Sequence, residues 1–307
     1  MPLVEPGQGS NRKIVNLQFV RALGVMVEVG DKDRSKQVTA AINAAAEAAG
    51  YKKTDGYTPE VAKAMTAKLK EAMPDLVMAR EVRGKFAGTE LFVGAEAKNP
   101  TDGNYARIAI DDDDARYIVS FSVANEGGAV GNRVATGLAA SVKGLEAKGL
   151  GKGTPIAFAA FPSEDKDEQG NVRKNERTNQ SFWGFSSLIK LPGADGKFGR
   201  DSGETVVETK GLWPDLKALR DAKKEAFAAA GLSGKDLTSA VRKEETKALI
   251  ANFYKPTLSA HPIWTRDQNA NAGAGTAPEG GSDEDPAAQH QGSPAPASMD
   301  MDDDIPF

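Results

Sequence analysis

The sequence predicts an α+β fold: a small β-barrel core with inserted and C-terminal helices, followed by a disordered acidic tail. Three observations predict it. Runs of β-branched and aromatic residues punctuated by glycine recur between residues 12 and 189, the pattern of short strands in a small barrel. Stretches with helical spacing, bounded by Pro and Gly, interrupt and follow those runs. From Asp267 to Ser298 there is no Val, Ile, Leu, Met, Phe, Tyr or Trp, so that segment buries too little surface to offset its ordering entropy.

Residues 12–29 alternate in part, with Val15, Leu17 and Phe19 set against Asn16, Gln18 and Arg21, and predict a curved first strand bent at Gly24. Residues 35–50 predict a helix ending at Gly50. A second covers 58–73, where Thr58 is the N-cap, Pro59 occupies the first turn and Pro74 stops it. Strands resume at 76–97 with Gly84, Gly88 and Gly94 inside them, then at 105–110 and 116–124. Asp111 to Asp114 lie between the last two; four consecutive carboxylates diverge from a turn, so a solvated turn is expected there rather than a metal site. A third helix is expected over 132–148.

The following Gly149-Leu150-Gly151-Lys152-Gly153-Thr154 has Gly after its Lys and no strand before it, so it is not a nucleotide-binding P-loop. Asp165-x-Asp167-x-Gln169-Gly170, with Glu176 further on, nearly spells a calcium loop. It joins two strand-like runs, 154–161 and 181–189, where such a loop needs helices. A long β-hairpin loop is expected instead. Residues 214–230 and 236–253 predict a helical hairpin, serving as a lid or an oligomerisation element, with Trp264 closing the ordered body.

The charge is divided unevenly. The 41 residues after Arg266 hold nine acidic residues and no Lys or Arg, leaving 39 basic against 34 acidic residues in the first 266. A mildly basic body thus carries an opposing tail. With no Cys there is no disulfide framework and no thiolate chemistry, and with only His261 and His290 a histidine-dependent enzyme is a poor fit. Apolar runs stop short of the roughly 20 residues a membrane helix needs, and the N-terminus shows no secretory leader. A cytoplasmic protein is expected, without cofactor, metal or membrane partner.

The tail ends in Asp300, Met301, Asp302, Asp303, Asp304, Ile305, Pro306 and Phe307. Phe307 can fill an apolar pocket while its terminal carboxylate meets an Arg; Pro306 limits the freedom lost on docking, and the aspartates attract a basic rim. This ending resembles the C-terminal tip of bacterial and phage-type single-stranded-DNA-binding proteins, which carry an OB-fold, a flexible Gly/Pro-rich linker and such a peptide. The resemblance implies an OB-fold-like body over residues 11–266, a linker over 267–298 and an interaction tip over 299–307. It implies binding of single-stranded DNA, no catalysis, and recruitment of replication, recombination and repair proteins, with the tip competing against DNA for the body's basic surface. The helical insertion at 35–73 and the hairpin at 214–253 depart from the family's compact barrel, as in a divergent member carried by a phage or mobile element.

Holding single strands without sequence preference needs cations along the phosphate path and flat rings for bases. The body offers both in the same segments: Arg12, Lys13 and Arg21 flank the first strand; Arg80, Arg83 and Lys85 adjoin Phe86 and Phe92; Arg107 and Arg116 adjoin Tyr105 and Tyr117; Arg173, Lys174 and Arg177 lead into Phe182, Trp183 and Phe185. Alternation separates Phe182 from Trp183 and Phe185. Phe19, Phe121, Phe158 and Phe161 are expected in the core, Trp183 is open between core and base stacking, and His261 shows no partner. A protein-binding adaptor and a metal-dependent nuclease are the rival classes.

Overall fold

A computed structural model of the protein describes residues 13–51, 56–92, 105–123, 133–166, 169–174 and 179–263. The fold is α+β. Among the described residues, nine strands form one mixed sheet: β1 Lys13–Val20, β2 Val25–Glu28, β3 Met78–Ala79, β4 Glu81–Phe92, β5 Tyr105–Asp111, β6 Ala115–Ser122, β7 Pro155–Glu164, β8 Trp183–Leu191 and β9 Thr205–Val206. Their order is β3-β2-β1-β6-β5-β4-β7-β8-β9, with β1 and β6 parallel and every other pair antiparallel. The helices are α1 Lys32–Ala48, α2 Pro59–Ala72, α3 Arg133–Ala147, α4 Lys217–Ala229, α5 Gly234–Leu249 and α6 Lys255–Leu258. None of those described is long and apolar enough to cross a membrane.

The expected barrel is not closed. The sheet is open, but it curls: β3 is its edge strand, yet only Arg80 separates β3 from β4, five strands further along the order. That covalent corner brings the edge back beside the middle. Side chains bridge the opening, with the Phe19 ring of β1 5.5 Å from the Phe185 ring of β8. The first strand is likewise not continuous. Gly24 takes a left-handed φ of 65° and its N–H donates to Val20 O at 2.9 Å, so the chain reverses into a β1–β2 hairpin instead of bending.

Alternation sorts the sheet into two faces. Inward point Val15, Leu17 and Phe19 of β1, Val119 and Phe121 of β6, Ile108 and Ile110 of β5, Phe86 of β4 and Phe158 of β7, all buried in the main core. α3 lies against this face and is buried on nearly every side. It can approach β8 closely because Gly137 presents no side chain there, a Cβ at that position lying 2.5 Å from Ser187 O; Gly144 does the same against Val207, just after β9. The π-helical turn Ile250–Tyr254 and α6 cover the other side of α3, where the Tyr254 hydroxyl meets Thr136 Oγ1 at 2.7 Å. A second core joins Val20, Leu23, Val25 and Val27 to Val38 and Ile42 of α1 and Met65 and Leu69 of α2. The inserted helices therefore roof the β1–β2 hairpin.

Helix starts follow local chemistry. Thr58 caps α2, its hydroxyl accepting from Val61 N at 3.3 Å with Pro59 in the first turn. α1 begins three residues before the expected 35, because Asp31 accepts from Asp33 N and Arg34 N. The hairpins at Asp112–Asp114 and between β7 and β8 are as expected; Asp112 N donates to Ala115 O at 2.8 Å, closing the first. Phe19, Phe121 and Phe158 are in the core, whereas Phe161 is half-buried on the opposite face to Phe158. His261 does have partners, contrary to expectation: Glu146 Oε1 at 2.9 Å from its Nε2, and the edge of Phe86.

Candidate nucleic-acid interface

The predicted cations fall into two groups that differ in what already neutralises them. On the outer face of the sheet, Arg116 holds Asp111 through two bonds of 2.6 and 2.8 Å. Arg107 meets Glu90 at 3.1 Å, and Arg83 meets Glu81 at 2.6 Å while lying over the Phe198 ring. Lys190 sits between Glu81 at 2.9 Å and Glu204 at 2.8 Å. The hydrogen bonds that Arg116 donates to Asp111 hold its pKa above the ordinary value. Burial pushes the Glu81 carboxyl up, but the hydrogen bonds from Lys190 and Arg83 outweigh it and leave Glu81 below the usual value. Lys85 is exposed on this face, in register with Asp111, and Lys13 is exposed at the start of β1. The face is charge-compensated, which weakens it as a phosphate path.

Tyr105 and Tyr117 are not brought together. Tyr105 is on the outer face beside Arg107, whereas Tyr117 is in register with Val15 and Ile110 and packs on the main core.

The other group converges where the sheet curls back, and four separate segments build it. The β1–β2 turn brings Arg21, whose guanidinium lies 5.3 Å from the centre of the Phe185 ring. The corner between β3 and β4 brings Arg80, exposed, its carbonyl accepting from Ala160 N of β7 at 3.2 Å. The residue before the α2 cap is Tyr57, with its ring edge-on to Trp183 at 5.5 Å and to Phe185 at 5.4 Å. Burial raises the Tyr57 phenol above its ordinary pKa, Arg80 opposing and Glu60 adding to it. Gly24 makes this approach possible, since a Cβ there would lie 3.0 Å from the Tyr57 ring.

The β7–β8 hairpin is the fourth segment. Arg173 N donates to Asp165 O at 2.8 Å and Phe182 N to Arg173 O at 2.9 Å, so residues 172–174 fold back between the two arms. The Arg173 side chain reaches Asp165 Oδ2 at 3.0 Å and lies 6.0 Å from the Phe182 ring centre; that ring is 44% exposed. Arg133, at the start of α3, reaches Asp165 Oδ1 at 3.0 Å. Lys174 is exposed next to this pair, bridged through its backbone to Ser181. The seam thus has two parts: half-buried Tyr57 and Trp183 with Arg21 and Arg80, and, on the adjoining β7–β8 hairpin, open Phe182 with Arg133 and Arg173.

Of the sequence candidates, Arg21 lies by Phe185, Trp183 by Tyr57 and Arg173 by Phe182, whereas Tyr57 and Arg133 were not among them. Tyr57 carries no local signal, because only the tertiary approach at Gly24 brings it to Trp183. Arg133 could have been suspected as a cation at a helix start, where the dipole disfavours it. Arg12, Arg177, Trp264 and the tip residues Asp300, Asp302, Asp303, Asp304, Ile305, Pro306 and Phe307 lie outside the described residues.

Other motifs are structural. Lys152 of the glycine-rich stretch donates to Pro262 O, and Thr89 N donates to His261 O at 2.6 Å, so both fasten the last described segment along β4. Among the described residues no group of three or more His, Asp or Glu could hold a metal ion. Comparison with known proteins finds no matching family model, curated protein or solved structure.

Proposed function

We propose that the protein binds single-stranded DNA without strong sequence preference, protects it, and recruits replication, recombination and repair proteins through its C-terminal tip. The observation that carries this reading is the corner at Arg80, where stackable rings and guanidinium groups from four segments meet. Bases need flat faces and phosphates need cations; both are within one side-chain length of each other there. In this reading the curled sheet from β1 to β6 is the open counterpart of an OB barrel, and the corner takes the place of its DNA groove. The nine acidic residues of the tail, ending in Ile-Pro-Phe, are the second support. The tail leaves the described body at Ile263, which packs on Ala109 and Ile118 of the outer face. In this reading the acidic tail competes with DNA for the cations of the corner.

The test is fluorescence anisotropy of a labelled oligo-dT with the full chain and with residues 1–266, across salt. The reading expects tight binding that weakens steeply with salt and strengthens on removal of the tail. Absence of binding by both forms would leave the second reading, an adaptor that joins a replication complex through its tip. The carboxylate pairing of Arg83, Arg107 and Arg116 is the observation that favours this alternative.

A further inference from the structure

Asp165 stands out within the corner as an acid held between two arginines from distant parts of the chain. Its Oδ2 accepts from Arg173 at 3.0 Å, while its Oδ1 lies 3.0 Å from Arg133 Nη2 without making an aligned hydrogen bond. The carboxylate is mostly enclosed, but both guanidinium groups keep more than half of their side-chain surface in solvent. Main-chain bonds fix Asp165 independently of its side chain: its N–H donates to Phe182 O at 2.7 Å and its carbonyl accepts from Arg173 N at 2.8 Å. Gly184 leaves the channel along which Arg133 lies, since a Cβ there would come 3.2 Å from its Nη1.

This is the arrangement in which a pair of arginines holds a phosphate, with a carboxylate in the phosphate's place. We propose that Arg133 and Arg173 form a phosphate subsite of the corner and that Asp165 is its internal counter-ion, displaced when the backbone of a single strand enters. The proposal rests on the DNA-binding reading and adds a regulator to it. Asp165 lowers the affinity for nucleic acid because the strand must first take the arginines from it. The misaligned Arg133 contact is the weaker arm and yields first. Phe182, under Arg173, offers its open face to the adjoining base once the phosphate is seated.

The test compares wild type with Asp165→Asn and Asp165→Glu in oligo-dT binding across salt, with urea unfolding checking that each variant is folded. Asp165→Asn keeps shape and removes charge. It is expected to bind about 3- to 10-fold tighter at low salt and to steepen the slope of log K against log salt by about 0.7, the value of one further phosphate contact on a single strand. Asp165→Glu keeps the wild-type slope. Arg133→Gln is expected to weaken binding more in the Asp165→Asn background than in the wild type, because there the arginine is already released. If Asp165→Asn does not fold, Asp165→Ser gives the same neutral reading. A wild type that binds, with the neutral variant showing an unchanged or shallower slope, overturns the counter-ion and leaves the DNA-binding reading standing. A wild type that does not bind overturns both.

Discussion

Lys190 shows how much of the outer face is fixed by single residues. It bridges Glu81 of β4 and Glu204 near β9, and its hydrogen bonds to Glu204 and Glu81 raise its pKa above the ordinary lysine value. Glu81 is held below the ordinary carboxylate value. The lowered Glu81 contributes stability above its unfolded pKa and loses it as pH falls through the folded one; the raised Lys190 contributes below its unfolded pKa and loses it as pH rises through the folded one. Lys190→Gln is therefore expected to lower unfolding stability by about 1 kcal/mol near neutral pH, with the deficit shrinking at acid and at strongly alkaline pH. Urea titrations over pH check this; a deficit independent of pH would contradict it. At the corner, Trp183→Ala is expected to weaken oligo-dT binding about tenfold, one lost stacking contact, whereas Tyr105→Ala on the compensated face changes it less than about twofold. The sequence suggested Arg83, Arg107 and Arg116 as ligands because cations stood beside aromatics. It could not show that Glu90 and Asp111 stand opposite Arg107 and Arg116, since those pairings depend on register across the sheet, whereas Glu81 lies two residues from Arg83 on the same strand.

α3 decides the packing at the scale of elements. Gly137 is an ordinary helical position, so Ala would gain about 1 kcal/mol of helix propensity. A Cβ 2.5 Å from Ser187 O outweighs that, because β8 cannot recede without disturbing the whole sheet. Gly137→Ala is expected to destabilise the protein by about 2 kcal/mol in urea unfolding, and a stabilised variant would show that α3 and β8 are not in close contact. Tyr254→Phe removes the hydrogen bond between Tyr254 and Thr136 and is expected to lose about 1 kcal/mol. Helices were largely legible in the sequence because Thr58, Pro59, Gly50 and Gly231 are local signals. Strand existence was legible too, from Val15 to Phe19 and from Ile156 to Phe158. The β1–β2 reversal was not, since Gly24 reads as a bend or bulge within one strand, and only its hydrogen bond to Val20 shows the turn.

Over the whole molecule, curvature organises the candidate site. An open sheet whose edge strand runs on into its middle strand through Arg80 must bring that edge back beside the middle, and Arg21, Tyr57, Trp183 and Phe185 gather at that seam. Closure of the barrel, like the continuous first strand, is a feature of architecture the sequence suggested wrongly. Alternation predicts which face is buried, but not whether the last ladder of hydrogen bonds forms. The division into body and tail rests on composition alone, on the abrupt loss of large apolar residues after Arg266. The most direct test of the seam as a DNA site uses Trp183 as its own reporter. With Trp213 and Trp264 both replaced by Phe, oligo-dT is titrated at low salt while the remaining tryptophan emission is followed. The account predicts saturable quenching, reversed by salt, as a base stacks against Trp183. Binding that saturates by anisotropy while the Trp183 emission stays unchanged would place the DNA elsewhere and contradict it.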